Sequence, residues 1–360
     1  MPSDIVKIFL PTAVSFIIGI LLAFPISAFL YKHEMWKKKA KEVAFDGSTT
    51  PVFNQMHAER EVRVPRMGGM IIWGSVLITT LAIYILDIMT ADGTPGIWSK
   101  LDYLSRGQTW IPLLSLIIGA LVGLVDDYME VRGVSSAYKA GGLSLRKRLL
   151  VVGAVSMLAA LWFYFKLEVS AIGIPFLGVL PLGALFIPFF VLIALAVYSG
   201  GIIDGLDGLA GGIFAAIFAA YAGVAFYQNQ INLAAFCAVL VGGILAFLWF
   251  NIPPARFYMS ETGSMALTLT LTMVAFLTDN IAEGYGISVL FIIAFPLLAT
   301  SVSVILQLLS KRYRYKKLFI VSPLHHHFEA VGWPAYKVTM RYWVISVVMA
   351  IIGMIVAFIA

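Results

Sequence analysis

The chain has 360 residues, of which 61% are hydrophobic and 12% charged, and its mean hydropathy is +0.93. Soluble domains are nearer half apolar and a quarter charged, so a water-soluble globular protein is excluded. The net charge of +6 is no argument for a nucleic-acid partner, because the basic residues adjoin apolar runs, where they suit membrane orientation and anionic headgroups.

Taken in chain order, the apolar runs predict an all-α, polytopic integral membrane protein of about ten transmembrane helices. Residues 8–31 form the first span. They lack a small-residue cleavage site after a short apolar core, so they read as a span and not as a removable leader. A polar, basic segment, 32–66, follows. The second span, 67–86, opens at Met67-Gly68-Gly69, and 87–110 is an outer loop. The third span, 111–125, is short and stops at Asp126; loop 126–148 leads to the fourth, which ends near 165. Gly173, Pro175, Gly178 and Pro181 among β-branched residues predict a short outer hairpin in 166–182. The fifth span runs to about 200, and a Gly-rich turn, 200–212, enters the sixth. Spans seven to nine are 232–250, 264–279 and 286–309; the inner loop 310–341 precedes the tenth.

Of the 25 Lys and Arg residues, 21 fall on one set of alternating loops, within 32–66, 126–148, 251–262 and 310–341. The positive-inside rule makes that side cytoplasmic, and even parity then puts both termini outside. Cys237, the one cysteine, sits in an apolar run, so no intramolecular disulfide forms. The spans use most of the length, so 1–360 reads as a single transmembrane domain, without the internal halves of many secondary transporters.

The acidic clusters at predicted membrane edges all lie on the basic side. Carboxylates at membrane depth are costly and mark function, and several together point to metal-dependent chemistry on an anionic substrate. Asp126-Asp127 directly follows the apolar run 116–125. Adjacent carboxylates repel unless they share a cation or a proton. Mg2+ with phosphate oxygens, a general base, or a merely solvated helix end all fit the pair. In Asp204-Gly205-Leu206-Asp207-Gly208-Leu209-Ala210-Gly211-Gly212, two acids three residues apart share a helix face and the glycines allow close approach to a ligand. An ordinary connecting turn uses the same residues. Glu261 follows Ser260, which can cap the next helix with Glu261 as a favourable first-turn charge; a metal ligand is the other reading. His325-His326-His327 has a spacing unlike a two-turn zinc site, and suits a phosphate clamp or hydrogen-bonding network better than chelation. Arg146, Lys147, Arg148, Arg312, Arg314, Lys316 and Lys317 can attract phosphates or simply orient the spans.

Asp126-Asp127-Tyr128, the 204–212 run, Asn251 with 258–264, and Ser322-Pro323-Leu324-His325-His326-His327-Phe328-Glu329 follow one known order and spacing. The chain resembles, over nearly its whole length, the phospho-N-acetylmuramoyl-pentapeptide transferases. These are bacterial translocase I (MraY-type) enzymes of the polyprenyl-phosphate sugar-phosphate transferase superfamily. The triple-histidine segment is the most specific part. The resemblance implies transfer of phospho-N-acetylmuramoyl-pentapeptide from its UDP carrier to undecaprenyl phosphate, giving lipid I and UMP, in peptidoglycan biosynthesis. It implies Mg2+ as cofactor, a multi-pass place in the bacterial inner membrane with the site facing the cytoplasm, and a UDP-linked sugar, undecaprenyl phosphate and the bilayer as partners. A homodimer is compatible with it. By resemblance Asp126, Asp127, Asp204, His325, His326 and His327 are catalytic, and Glu261 and Asp204 are the metal residues, Glu261 at the position of an aspartate ligand and Asp204 its neighbour in the site. Asp207, Asn251 and Tyr258 match the uridine pocket, Tyr258 as the ring that stacks on uracil, and Arg148 matches a basic residue near the diphosphate.

The chain also departs from that pattern. Glu261 and Ser260 stand where Asp and Gly are usual, and Gly201 and Ile203 where Asn and Thr are. Pro65-Arg66 is more like the wider superfamily, and a lysine is missing at Glu61-Val62, where Arg60 or Arg63 can replace its charge. These departures keep open the transfer of another N-acetylhexosamine 1-phosphate, or a relative that binds without catalysing. A transporter or channel would instead place acids in mid-span or break helices at mid-depth.

Overall fold

The computed structural model describes residues 2–38, 62–90, 96–105, 107–133, 142–280 and 284–360. The apolar runs become helices: α1 (Pro2–Lys32), α2 (Met70–Met89), a short α3 (Ile97–Leu101), α4 (Trp110–Val131), α5 (Leu145–Lys166), α6 (Phe186–Ser199), α7 (Leu209–Tyr227) and α8 (Ile231–Asn251). They are followed by α9 (Ser260–Asn280), α10 (Gly286–Ile293), α11 (Phe295–Arg314), a short α12 (Leu324–Ala330) and α13 (Ala335–Ile359). Backbone polar groups have no water partner in lipid, so helices that satisfy their own hydrogen bonds are the expected solution.

Helices α7, α8 and α9 form the centre. α1 and α7 pack along α8, α2 covers α8 and α1, α13 lies on α7, and α4 lies along α9. The outer helices keep apolar side chains exposed, among them Phe9, Leu21, Leu158, Val344 and Ile359, as lipid contact requires.

Among the described residues, eight helices are long and apolar enough to cross a membrane, and α10 with α11 makes a ninth, bent by 72°. α9, with its threonines and its Glu261 and Asp279 ends, is not among those eight. It is nevertheless buried almost throughout, so it faces protein and not lipid. Its hydroxyls turn back on their own helix: Thr268, Thr270 and Thr272 donate to the carbonyls of Ser264, Ala266 and Thr268 at 2.8, 2.8 and 3.1 Å.

Three boundaries differ from the sequence reading. The third span does not stop at Asp126; α4 continues to Val131, carrying both aspartates inside the helix. The ninth span is broken at Ala294, where Pro296 in the first turn of α11 lacks the N–H that would continue the ladder. The segment 310–341 is not all loop: it holds α12 with the histidines, and α13 begins at Ala335. The outer hairpin forms as expected, with β1 (Ala171–Ile174) antiparallel to β2 (Gly178–Pro181). Asp279 anchors it by accepting the amides of Gly173 and Ile287, both at 2.9 Å. Arg60, Glu61 and most of the basic segment before them lie outside the described residues.

Candidate active site

The site is built around the first turn of α9. Gly119 and Gly123, four apart on α4, leave no room for a side chain: a Cβ would meet the backbone at Met265–Ala266 and at Glu261–Thr262 respectively. Small residues at this spacing let helix backbones approach closely. The approach brings Asp127 onto the amides that begin α9. Its Oδ1 accepts from Glu261 N at 3.3 Å, and its Oδ2 from Thr262 N at 2.9 Å and Thr262 Oγ1 at 2.6 Å. Asp204, from the turn after α6, accepts from Ser260 N at 2.8 Å. Two carboxylates remote in sequence thus satisfy helix-start donors and complement the positive end of the helix. Ser260 was the expected cap and is not: it is the first helical residue, at φ +56, and its Oγ accepts from Arg66 Nε at 3.1 Å. Burial raises the Asp204 carboxyl to about 6, opposed by the Ser260 amide and the Arg66 charge.

Asp126 and Glu261 face a single cation. Arg148, in the first turn of α5, places Nη2 2.8 Å from Asp126 Oδ2 and Nη1 2.5 Å from Glu261 Oε1. Its Nε donates to Leu143 O at 3.1 Å, and Leu143 N donates to Asp126 Oδ1 at 2.5 Å. Asp126 is fully buried, whereas the Glu261 side chain keeps 24% of its surface exposed. The bland alternative of a solvated helix end for Asp126-Asp127 therefore does not hold, since both are 0% exposed.

Asp207 and Asn251 lie next to this centre and are engaged within the chain. Asn251 accepts from Gly208 N at 3.0 Å and donates to Phe257 O at 2.8 Å; Asp207 Oδ2 accepts from Ala255 N at 3.1 Å. Together they tie the 204–212 turn to the 252–258 loop. That loop delivers Tyr258, half-buried, whose N donates to Pro65 O and whose O accepts from Gly68 N, both at 2.8 Å.

Two of the three histidines join the group. His325 and His326 are buried, their ring centroids 4.3 Å apart, and their Nε2 atoms lie where a Cβ on Gly205 would be. His326 Nδ1 is 2.7 Å from Glu329 Oε2. His327 turns away: its Nδ1 accepts from Ile320 N at 3.3 Å and its ring edges Phe319.

Among the described residues, no three His, Cys, Asp or Glu side chains are grouped to hold a metal. Two hard oxygen donors already converge on the Arg148 cation, and Mg2+ is commonly held by one or two carboxylates with substrate phosphates. The donor set fits such an ion in place of the guanidinium. Sequence reasoning missed Thr262, Arg66, Glu130 and Lys37. The Gly119-x-x-x-Gly123 spacing was the available signal for the α4–α9 approach.

The family model for glycosyl transferase family 4 matches residues 109–279. The phospho-N-acetylmuramoyl-pentapeptide-transferase of Listeria welshimeri is 33% identical over 303 residues, 83% of this chain and 85% of that protein. The protein of that name from Lactiplantibacillus plantarum is 31% identical over 339 residues, 93% of this chain and 95% of its own. The one from Chloroflexus aurantiacus is 31% identical over 367 residues, covering 99% of this chain and 91% of the relative.

Proposed function

Because the chain belongs to the phospho-N-acetylmuramoyl-pentapeptide-transferase family, we propose that it transfers phospho-N-acetylmuramoyl-pentapeptide from UDP to undecaprenyl phosphate. The products are lipid I and UMP. The observation that carries this reading is the gathering of Asp126, Asp127, Asp204 and Glu261, from three separate stretches, at the start of α9. A water-soluble nucleotide diphosphate and a lipid phosphate meet only at a membrane edge, which on the charge pattern is the cytoplasmic one. The ten-span topology, both termini outside and the single catalytic unit over 1–360 belong to the same reading.

Asp126 and Glu261 are the residues that would hold Mg2+, which supplies charge neutralisation of the diphosphate and of the leaving UMP. Arg148 holds that place in this structure and, with the ion bound, would be free to pair with the diphosphate. Asp127 and Asp204 act by fixing the α9 start, so that Glu261 is presented at a constant height. Asp207 and Asn251 hold the loop that offers the Tyr258 ring to uracil. His325 and His326 supply hydrogen bonds beside Asp204, and His327 supports the fold of α12.

A second reading has one specific observation behind it. Gly201 and the buried Ile203 put no polar side chain on the nucleotide-side turn, so another N-acetylhexosamine 1-phosphate remains a candidate donor. Release of UMP on adding Mg2+, with mass spectrometry of the lipid product, decides both points. No UMP release overturns the transferase reading, and a lipid product of a different sugar mass selects the second donor.

A further inference from the structure

Arg66 lies at the edge of this site and is bound on three sides. Its backbone N–H donates to Met35 O at 2.8 Å, and its Nε donates to Ser260 Oγ at 3.1 Å. Its Nη1 pairs with Glu130, whose other carboxylate oxygen lies 3.0 Å from Lys37 Nζ. Glu130 and Lys37 are each 11% exposed. Glu130 is three and four residues beyond Asp127 and Asp126 on α4, so it shares their face of the helix. The chain around Arg66 also runs against the approach to α9, with Tyr258 N donating to Pro65 O and Gly69 N to Met259 O. One guanidinium thus connects the helix that carries Asp126 to the turn that carries Glu261. That turn begins with Ser260 in the left-handed region, a conformation that persists only where its surroundings fix it.

We propose that Arg66, with Glu130 and Lys37, is a positioning clamp for the reaction. It keeps the first turn of α9 in register with α4, so that Glu261 and Asp126 face the same cation. The clamp rests on the phosphoryl-transfer reading above. It acts on turnover and metal use, not on nucleotide-sugar affinity, because Arg66 is committed to Glu130 and Ser260. Removing one partner of a buried ion pair leaves the other charge uncompensated, so the link has a strong geometric preference.

The test uses the full-length protein in detergent with Glu130→Gln, and separately Arg66→Lys, which keeps the charge but lacks the Nε donor to Ser260. UMP release is followed across UDP-sugar and Mg2+ concentrations, and amide hydrogen exchange is measured at 260–262. The expected result is kcat lower by about 10- to 100-fold, an unchanged KM for the UDP-sugar, a higher half-saturating Mg2+ concentration and faster exchange at 260–262. Glu130→Asp recovers part of kcat. A raised KM with unchanged kcat would mean that Arg66 touches substrate, and overturns the clamp. Unchanged kcat or unchanged exchange in both variants also overturns it. If Glu130→Gln does not fold, Arg66→Lys decides on the same criteria. If the wild type releases no UMP, the transfer reading fails on its own. The exchange data then stand alone: faster exchange sustains the register of α9 against α4 while the role in turnover falls with the transfer, and unchanged exchange ends both.

Discussion

Glu261 shows what one methylene does at this site. It reaches Arg148 at 2.5 Å from a helix start held by Asp127 and Asp204. Glu261→Asp withdraws the carboxylate by about 1.5 Å, one bond length of stem. Mg2+ tolerates little misplacement, so turnover should fall about tenfold or more although Asp is the usual residue of the family. Equal Mg2+ dependence of UMP release in the two proteins would remove Glu261 from the metal site. Ser260 gives a second test. At φ +56 a residue with a Cβ is strained by roughly 1 kcal/mol or more. Ser260→Ala keeps that strain and loses the acceptor for Arg66, whereas Ser260→Gly loses the same acceptor but is relieved of the strain. Thermal unfolding should find the Gly variant more stable than the Ala variant by about 1 kcal/mol, and the reverse order would contradict the left-handed turn. Glu261, Asp126 and Asp204 stand out in the sequence because charge in an apolar setting is conspicuous, and the structure brings them together at the start of α9. Which acid caps and which faces the cation was not legible. Those roles depend on amides and on Arg148, more than a hundred residues from Glu261 in the chain.

At the scale of elements, the close contact of α4 with α9 carries the site. Gly123→Ala forces a Cβ into the backbone at Glu261–Thr262, and overpacking of this kind costs about 1–3 kcal/mol. Gly153→Ala on α5 meets nothing within 4 Å and should be neutral or slightly stabilising, since Ala is the better helix former by about 1 kcal/mol. Unfolding in detergent compares the two directly; equal stability would mean that the helices are not in backbone contact. The helices themselves were readable from hydropathy, and the hairpin from its turn residues. Hydropathy ends α4 at the charged pair, but the helix runs on to Val131. A helix passes through such a pair when the carboxylates have partners, and here Leu143 comes from the end of the following connection and Arg148 from the first turn of α5. The break at Ala294 was missed because Phe295-Pro296 interrupts an otherwise unbroken apolar run.

For the whole molecule, the distribution of 21 of 25 basic residues predicts which side faces the cytoplasm. Cys237 is fully buried, so the native chain gives little labelling background. Single cysteines at positions 48 and 136, outside the described residues, should react with a membrane-impermeant reagent only after the cytoplasmic side is opened. Reaction in intact cells would reverse the topology. Composition made the membrane class readable, and the apolar run 264–279 marked α9 as a span; that this threonine-bearing helix sits at the centre was not readable, because protein surrounds it. The bridge made by Arg148 has a consequence for the molecule at rest. The bundle carries its own tethered counter-ion between Asp126 and Glu261, so one of the two negative charges is already compensated without help from solution. Loading with the proposed Mg2+ would then be an ion exchange, and its apparent affinity would reflect the difference between two cations and not the pull of the carboxylates alone. In contrast to a metal-nucleated fold, a site of the proposed kind would let a chelator stop turnover, and resupply restore it, without unfolding the chain.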